Sequence, residues 1–195
     1  MPLNPQLIRV ALGKECADIV IQNGLLVNVA SGEIYPADIA VKGERIASIG
    51  PLPEGTIGPD TRVIDAKGLY LAPGFIDAHI HIESSMLTYT EFSKMVVRHG
   101  TTAVASDLME VTIVSGTDGM RELLQESKDT PVRLYYPVPS FMEEETGLQT
   151  IGSVLHASSI AELLKLPEAV GLAEVLAMPV LAESPQSQAV LALAE

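Results

Sequence analysis

The strongest constraint on the fold is a regular alternation of strand-like and helix-like segments that begins near residue 71. Apolar runs such as "TTAVASD", "PVRLYYPVPS" and "AVGLAEVLAMP" alternate with stretches of helical periodicity such as "TYTEFSKMVVRHG", "GTDGMRELLQESKD" and "SSIAELLKL". Four strand–helix units joined by short connections predict parallel strands with crossover helices, and therefore an α/β fold. In such sheets the functional residues lie at the carboxyl ends of the strands.

The first 70 residues follow a different pattern of short strands and tight turns. Turn signals at Asn23-Gly24, Ser31-Gly32 and Lys42-Gly43 separate runs of β-branched residues. This pattern predicts a small β-sandwich segment over residues 1–70, followed by the β/α units of residues 71–195. The whole chain of 195 residues is shorter than the ~250 residues that a complete eight-stranded β/α barrel typically needs.

The composition of the chain argues against two classes of partner, nucleic acid and membrane. The chain has 12 Lys and Arg against 25 Asp and Glu, a formal net charge of −13, which argues against nucleic acid because phosphate binding needs clustered basic residues. With a single cysteine, Cys16, and neither a signal sequence nor a membrane-spanning run, the chain is expected to be cytoplasmic and to have no membrane partner. The acidic stretch at residues 141–147 is expected to be a solvated loop.

The stretch "PGFIDAHIHIESSM" contains the clearest candidate for a metal site. If this stretch is a buried strand, side chains at i and i+2 share a face, so His79 and His81 converge at its carboxyl end. Two imidazoles in that arrangement suit one divalent ion. Asp77 has the same parity, so it either orients a ligand histidine or serves as an ordinary turn or strand-start aspartate.

Glu174 is the second candidate ligand. It stands late in the apolar run "AVGLAEVLAMP", and a carboxylate inside a buried strand is costly unless it is paired or bound to a metal. The alternative is that this run is an amphipathic helix with an exposed Glu174; Gly171 and Pro179 weigh against it.

These motifs resemble the amidohydrolase superfamily, and "HIESSMLTYTEF" and "VGLAEVLAMP" resemble its adenine deaminase branch in particular. The resemblance implies the first half of a TIM-type (β/α)8 metallo-hydrolase barrel preceded by a β-sandwich segment. It also implies a divalent metal centre, expected to be binuclear with Mn, Fe or Zn, in which His79 and His81 are ligands and Glu174 is the bridging carboxylate. The implied reaction is hydrolytic deamination of an aminopurine, adenine, to hypoxanthine and ammonia.

Residues after the first two strands complete the candidate site. Glu83, Ser84 and Ser85 lie in the first strand-to-helix loop, where substrate contacts are expected. Asp107 and Glu110 follow the second strand, and with Glu83 they are the candidate catalytic carboxylates. The related deaminases usually carry Pro-His-Glu after that aspartate, whereas this chain has Leu108 and Met109. We therefore assign Met109 to the substrate side with Ser84 and Ser85, and its lack of a ring nitrogen predicts altered specificity or lost activity.

Two other interpretations remain open. The chain could belong to a cyclic amidohydrolase resembling dihydroorotase or hydantoinase, although these usually carry a bridging lysine that Glu174 would replace. It could also be a catalytically inactive half-barrel, because the superfamily's remaining ligands lie on barrel strands 5 and 6 and its catalytic aspartate on strand 8, beyond the four strand–helix units of this sequence. An open sheet edge would favour a homo-oligomer in that case.

Overall fold

The computed structural model describes residues 4–140, 152–175, 177–181, 183 and 185–193. The acidic stretch at residues 141–147 lies outside these ranges. The chain divides into two compact units, Met1–Pro73 and Gly74–Glu195. Among the described residues, no helix has both the length and the apolar character needed to cross a bilayer.

The first unit is built on one five-stranded sheet. Helix α1 (Pro5–Ala11) precedes strands β1 (Ile19–Asn28), β2 (Glu33–Lys42), β3 (Arg45–Ile49), β4 (Arg62–Asp65) and β5 (Tyr70–Leu71). The strand order is β3-β2-β1-β4, and β5 also pairs with β1. The β1–β2 and β2–β3 pairs are antiparallel, whereas β4 and β5 run parallel to β1. The turns predicted at Ser31-Gly32 and Lys42-Gly43 are confirmed as the connections between antiparallel strands.

The turn predicted at Asn23-Gly24 is wrong. These two residues lie inside β1, where the register with β2 shifts between Ile21 and Gly24. Asn23 has φ 58°, its backbone amide donates to Asp38 and its side-chain amide donates to Asp65. Asparagine tolerates this left-handed conformation, so the strand bulges instead of reversing.

Both faces of this sheet carry apolar side chains. On one face, Val20 and Ala40 pack against Val10 of α1. On the other face, Leu26, Ala37 and Ile39 form a second cluster. Ile49 pairs with Ile39 and therefore lies on the second face, where it stays exposed.

The second unit contains a parallel four-stranded sheet. Strands β6 (Phe75–Asp77), β7 (Thr101–Ala105), β8 (Arg133–Val138) and β9 (Ala169–Leu172) follow one another in chain order. Helices α2 (Tyr89–Val97), α3 (Met109–Ser127) and α4 (Ala157–Leu163) connect them, and α5 (Ala177–Leu181) and α6 (Pro185–Leu191) follow. The predicted alternation and the parallel pairing are confirmed, and the fold is mixed α/β.

The core of this unit lies between the sheet and its helices. Its fully buried members come from every layer, with Val104 and Tyr136 on strands, Met120 and Ile160 on helices and Leu155 before α4. Burial of this apolar surface is the main stabilising contribution to the unit.

Two sequence expectations about the first α/β strand are wrong. The run "YLAPGFIDAHIHI" is strand-like in sequence and predicts one buried strand, but Tyr70–Leu71 pairs with β1, and β6 begins only at Phe75. Phe75 and Ile76 are 61% and 64% exposed. Within the described residues, β6 pairs only with β7, so it is an edge strand whose apolar side chains are not covered.

Helix α3 begins seven residues earlier than the sequence predicts. The periodic pattern pointed to a start at Gly116, but Gly116 has φ 67° and ψ −163°, which divides α3 into two helical segments. This backbone region is almost restricted to glycine. The carbonyl of Ile113, near this break, accepts hydrogen bonds from the amides of Gly152 and Ser153.

Candidate functional site

The two histidines of the candidate site lie just beyond the end of β6. The strand ends at Asp77, so His79 and His81 are not on the strand itself, contrary to expectation. The chain bends at Ala78 and His79, and the amide of Ile80 then donates to the carbonyl of Ala105 at the end of β7. The two imidazoles meet in this segment, with their Nε2 atoms 3.2 Å apart.

Asp77 contacts the backbone of this segment. Its Oδ1 accepts a hydrogen bond from the amide of His79 at 3.2 Å, the local pattern common for aspartate at a turn. The geometry therefore favours the structural interpretation of Asp77 over the orientation of a histidine ring.

The distance between the imidazoles suits a shared divalent ion. Two nitrogens bound to one tetrahedral zinc ion at about 2.0–2.1 Å lie roughly 3.3 Å apart, close to the observed 3.2 Å. One ligand atom of each of His79, His81 and Asp107 lies within 4.8 Å of the others. Asp107 is 2% exposed, and its Oδ2 has no hydrogen-bond partner among the described residues. A buried carboxylate oxygen without a partner is costly, and a cation would satisfy it, so these residues fit a metal ion.

Asp107 and Glu110 flank the other nitrogen of His81. Its Nδ1 lies 3.3 Å from Asp107 Oδ1 and 3.2 Å from Glu110 Oε2. The Asp107 side chain is buried, whereas that of Glu110 is 43% exposed, so the two carboxylates approach from the interior and from the solvent side respectively. Burial alone would lower the pKa of His81, but the negative charges of Asp107 and Glu110 outweigh it and raise that pKa above its ordinary value.

The backbone between β7 and α3 orients the carboxylates of Asp107 and Glu110 toward His81. Leu108 is fully buried with φ 53°, a left-handed conformation that is uncommon for leucine. Its carbonyl accepts the Thr112 hydroxyl at 2.7 Å, and Asp107 Oδ1 accepts the Met109 amide at 3.2 Å. The chain therefore enters α3 directly after Asp107, which brings Glu110 to the same imidazole. Met109 itself is half-buried.

Burial also shifts the pKa values of two carboxyls in this site. It raises the pKa of Asp107, a shift that the Met109 amide and His81 partly oppose. It also raises the pKa of Glu83, and the charges of Glu110 and Asp107 add to the rise. The amides of Glu83 and Val111 oppose the shift at Glu83, although neither carboxylate oxygen has a hydrogen-bond partner of ordinary geometry among the described residues.

Glu83, Ser84 and Ser85 lie in a short 3-10 helix, Ile82–Ser85, directly after the histidines. The Ser85 hydroxyl donates to the Ile82 carbonyl at 2.6 Å and accepts the Leu87 amide, so it closes this turn. Ser84 is exposed. Only Glu83 of the three directs a partly buried charged group toward the other site carboxylates.

Glu174 follows β9 and differs from the expectation of a buried strand carboxylate. The strand ends at Leu172, and Glu174 is exposed in the segment that follows. The argument from the cost of a buried carboxylate therefore does not apply to Glu174. The alternative interpretation, an amphipathic helix over this run, is also wrong at this position. Glu174 nevertheless lines a small open pocket, together with Ala78, His79, Ala105, Asp107, Pro137 and Ala173. The structure thus brings Glu174 to the same pocket as His79 and Asp107.

One residue of this pocket region was missed from the sequence. The buried Ser140 donates its hydroxyl to the carbonyl of Glu174, which fixes the backbone after β9. The signal was present, because Ser140 is a polar residue just past the carboxyl end of β8, where site residues are expected.

A match to a protein-family model shows which family the chain belongs to. Residues 70–187 match the model described as the amidohydrolase family. The chain belongs to the amidohydrolase family. The matched range includes all nine candidate site residues of this amidohydrolase, from His79 to Glu174.

Two curated adenine deaminases are similar to this chain in sequence. This amidohydrolase chain is 43% identical over 176 residues to adenine deaminase 3 of Rhizobium meliloti (strain 1021), covering 90% of this chain and 30% of that protein. It is 42% identical over 181 residues to the adenine deaminase of Moorella thermoacetica, covering 92% of this chain and 30% of that protein. The resemblance to the adenine deaminase branch is confirmed, and the chain spans about 30% of the length of these curated relatives.

Solved structures of amidohydrolases agree with the fold. A D-aminoacylase studied for its binuclear metal centre aligns with a TM-score of 0.51 at 19% identity, covering 91% of this chain and 37% of that chain. The β-aspartyl dipeptidase of Fervidobacterium islandicum AW-1 aligns with a TM-score of 0.52 at 16% identity, covering 80% of this chain and 40% of that one. At these identities the alignments support the fold alone.

Proposed function

We propose that this amidohydrolase chain carries part of the active site of an adenine deaminase-like enzyme, which hydrolyses adenine to hypoxanthine and ammonia. The observation that carries the proposal is the 3.2 Å approach of the His79 and His81 Nε2 atoms beside the buried Asp107. The identity of 42–43% to two adenine deaminases over about nine-tenths of the chain supports the choice of substrate.

In this proposal His79, His81 and Glu174 hold a binuclear centre of Mn, Fe or Zn, with Asp107 close enough to contribute an oxygen. A divalent ion supplies Lewis-acid activation of the attacking water. Glu83, whose pKa is raised by burial, is suited to accept a proton and return it to the departing ammonia. Ser84, Ser85 and Met109 are proposed to line the purine side of the site.

The proposed architecture extends the observed fold. We propose that residues 1–70 belong to a composite β-sandwich and that residues 71–195 are the first four β/α units of a barrel. Two exposed apolar surfaces support this proposal, because further strands of the sandwich and of the barrel would cover them. They are Ile49 on the second face of the first sheet, and Phe75 with Ile76 on β6. A cytoplasmic location and a homo-oligomer remain predictions from composition and from the open sheet edge.

The test measures metal content and ammonia release separately. We expect the purified chain to bind Mn²⁺ or Zn²⁺, measured by elemental analysis after dialysis, and the variant His79→Asn/His81→Asn to lose that metal. His99→Asn, which changes an exposed histidine after α2, is the matched control. A chain that binds no more metal than the double variant would refute the metal site.

The substrate is tested by ammonia release from adenine and by ring opening of dihydroorotate or a hydantoin. Ammonia release from adenine supports the proposal, and ring opening supports the cyclic amidohydrolase alternative. The absence of both activities supports an inactive half-barrel. Met109→His, which supplies the ring nitrogen usual in the related deaminases, is expected to raise the rate of ammonia release if Met109 faces the purine.

A further inference from the structure

The first two turns of helix α3, residues 109–115, form a segment of their own. On one side of it Leu108 has φ 53°, and on the other side Gly116 has φ 67° and ψ −163°. Both conformations lie outside the helical region, and that of Gly116 is almost restricted to glycine. These two positions therefore separate residues 109–115, the first segment of α3, from the rest of the helix.

The first segment of α3 carries two residues of the proposed site at its start. Met109 is proposed to line the purine side, and Glu110 Oε2 lies 3.2 Å from His81 Nδ1. In a helix, residues four apart lie on the same face, about 6 Å apart along the axis. Ile113 is thus one turn beyond Met109. Val114 is likewise one turn beyond Glu110. Whatever holds the backbone of this second turn therefore also determines where the two site side chains point.

Backbone contacts with the stretch before α4 hold this second turn. The carbonyl of Ile113 accepts hydrogen bonds from the amides of Gly152 at 2.9 Å and Ser153 at 3.0 Å. A Cβ atom added at Gly152 would collide with the carbonyl oxygen of Val114, so the close approach of the two backbones requires glycine. The Val114 side chain is 70% exposed and holds the turn little. The backbone contact is therefore what fixes this part of the segment.

We propose that Gly152 and Ser153 are positioning residues for the candidate site. Through the Ile113 carbonyl they hold the first segment of α3 at its second turn. The orientation of that segment sets the reach of Glu110 toward the histidines and the surface that Met109 presents to a substrate. The inference rests on the proposed function, because it concerns how that site is held.

Three substitutions change this contact in different ways. Gly152→Ala adds a Cβ atom against the Val114 carbonyl, and because Gly152 does not have a left-handed φ, the collision comes without that backbone strain. Ser153→Pro removes the amide that donates to Ile113. Ser153→Ala keeps that amide and removes only the hydroxyl, so it is the matched control.

The rate of thiol alkylation at position 109 reports the orientation of the segment. Met109→Cys, made together with Cys16→Ser because Cys16 is exposed, supplies the single thiol, and its reaction with iodoacetamide depends on its exposure. Met109 is half-buried, so Gly152→Ala and Ser153→Pro should raise the rate several-fold, and Ser153→Ala should leave it close to that of the parent. An equal rate in all three variants would overturn the inference.

The affinity for Zn²⁺, measured by chelator competition in chains that keep Met109, is the second readout. Gly152→Ala and Ser153→Pro should each bind Zn²⁺ about 10-fold more weakly, as expected when the support of a ligand is lost, and Ser153→Ala should bind like the parent. A parent that binds Zn²⁺ and variants that bind it equally well would overturn the inference. If the parent binds no Zn²⁺, the proposed function fails, and the alkylation rates still decide the inference.

Circular dichroism and Tm of each variant separate positioning from general structure. Loss of the fold in both Gly152→Ala and Ser153→Pro would show that the contact supports the whole unit, and it would also overturn the inference. If only one of the two folds, its comparison with Ser153→Ala decides.

Discussion

Two buried tyrosines in the second unit differ in what their hydroxyl groups contact. Tyr89 and Tyr136 are both fully buried. The Tyr89 hydroxyl donates to the carbonyl of Val132 at 3.0 Å. The Tyr136 hydroxyl lies near Thr112 and Asp107 but has no hydrogen bond of ordinary geometry among the described residues. Burial raises the pKa of both phenols, so neither is ionised at neutral pH.

This difference predicts opposite results for the same substitution. Tyr89→Phe should lower the free energy of unfolding by about 1 kcal/mol, because the hydrogen bond from Tyr89 to the Val132 carbonyl is lost. Tyr136→Phe should leave it unchanged or raise it, since a buried group without a partner is removed. Urea denaturation of both variants checks the pair, and an equal loss in each would show that Tyr136 has a partner.

Sequence patterns identified the candidate side chains that cluster in the structure, but not the contacts between them. His79, His81, Asp107 and Glu110 were all identified from motif and position. That both carboxylates meet Nδ1 of His81 depends on the left-handed backbone of Leu108, a conformation that a leucine in the sequence does not signal. The exposure of Glu174 was missed because the strand was assumed to continue past Leu172.

The start of helix α2 is held by two side chains. Thr88 is the N-cap residue, and its hydroxyl accepts the amide of Glu91. Glu126 in α3 accepts the amide of Thr90 at 2.9 Å, so a second helix stabilises the exposed amides of the first turn. Hydrogen bonds from Thr90 lower the pKa of Glu126 below its usual value.

Removal of this charge should destabilise α2 in a pH-dependent way. Glu126→Gln is expected to lower the free energy of unfolding at neutral pH by about 1 kcal/mol, typical of a lost helix cap. A carboxyl whose pKa is lowered by folding stabilises above its unfolded pKa of about 4.3 and loses this effect as the pH falls through the folded value. The difference from wild type should therefore shrink under acid.

Unfolding curves at several pH values measure this effect, with Glu122→Gln as a control on the same helix. A difference that stays constant down to strongly acidic pH would mean that the charge of Glu126 does not matter.

Element order was predictable, while element ends were not. The strand–helix alternation predicted the parallel sheet, because consecutive parallel strands need a long crossover connection, which is usually a helix. The early start of α3 was missed because the helical periodicity is clear only after Gly116, where the backbone break divides α3 into two segments. The predicted first strand was too long because "YLAPGFIDAHIHI" is mostly apolar and resembles one strand, yet Pro73 and Gly74 interrupt it, and its two ends belong to different sheets.

The whole molecule carries a large excess of negative charge. With 25 acidic against 12 basic residues, the folded chain repels itself at low ionic strength. The exposed ion pairs, such as Lys94–Glu91 and Lys165–Glu162, contribute little in comparison.

Screening of this repulsion should stabilise the fold. We expect Tm at neutral pH to rise as NaCl is raised from very low concentration to about 0.1 M, where the Debye length is about 10 Å. A gain of about 1 kcal/mol corresponds to roughly 2–4 °C for a chain of this size. The same salt series at mildly acidic pH, where carboxylates are partly protonated, should give a smaller rise. A fall in Tm with salt at neutral pH would show that attractive pairs dominate.

The short path from Asp107 to Glu110 has a consequence for how this site tolerates change. Both carboxylates meet one imidazole nitrogen across only two intervening residues. An inserted or deleted residue in this path would turn Glu110 by about 100° around the helix axis. Spacing is therefore constrained more tightly here than residue identity, so that among natural variants substitutions at Leu108 or Met109 should be far commoner than any change of length.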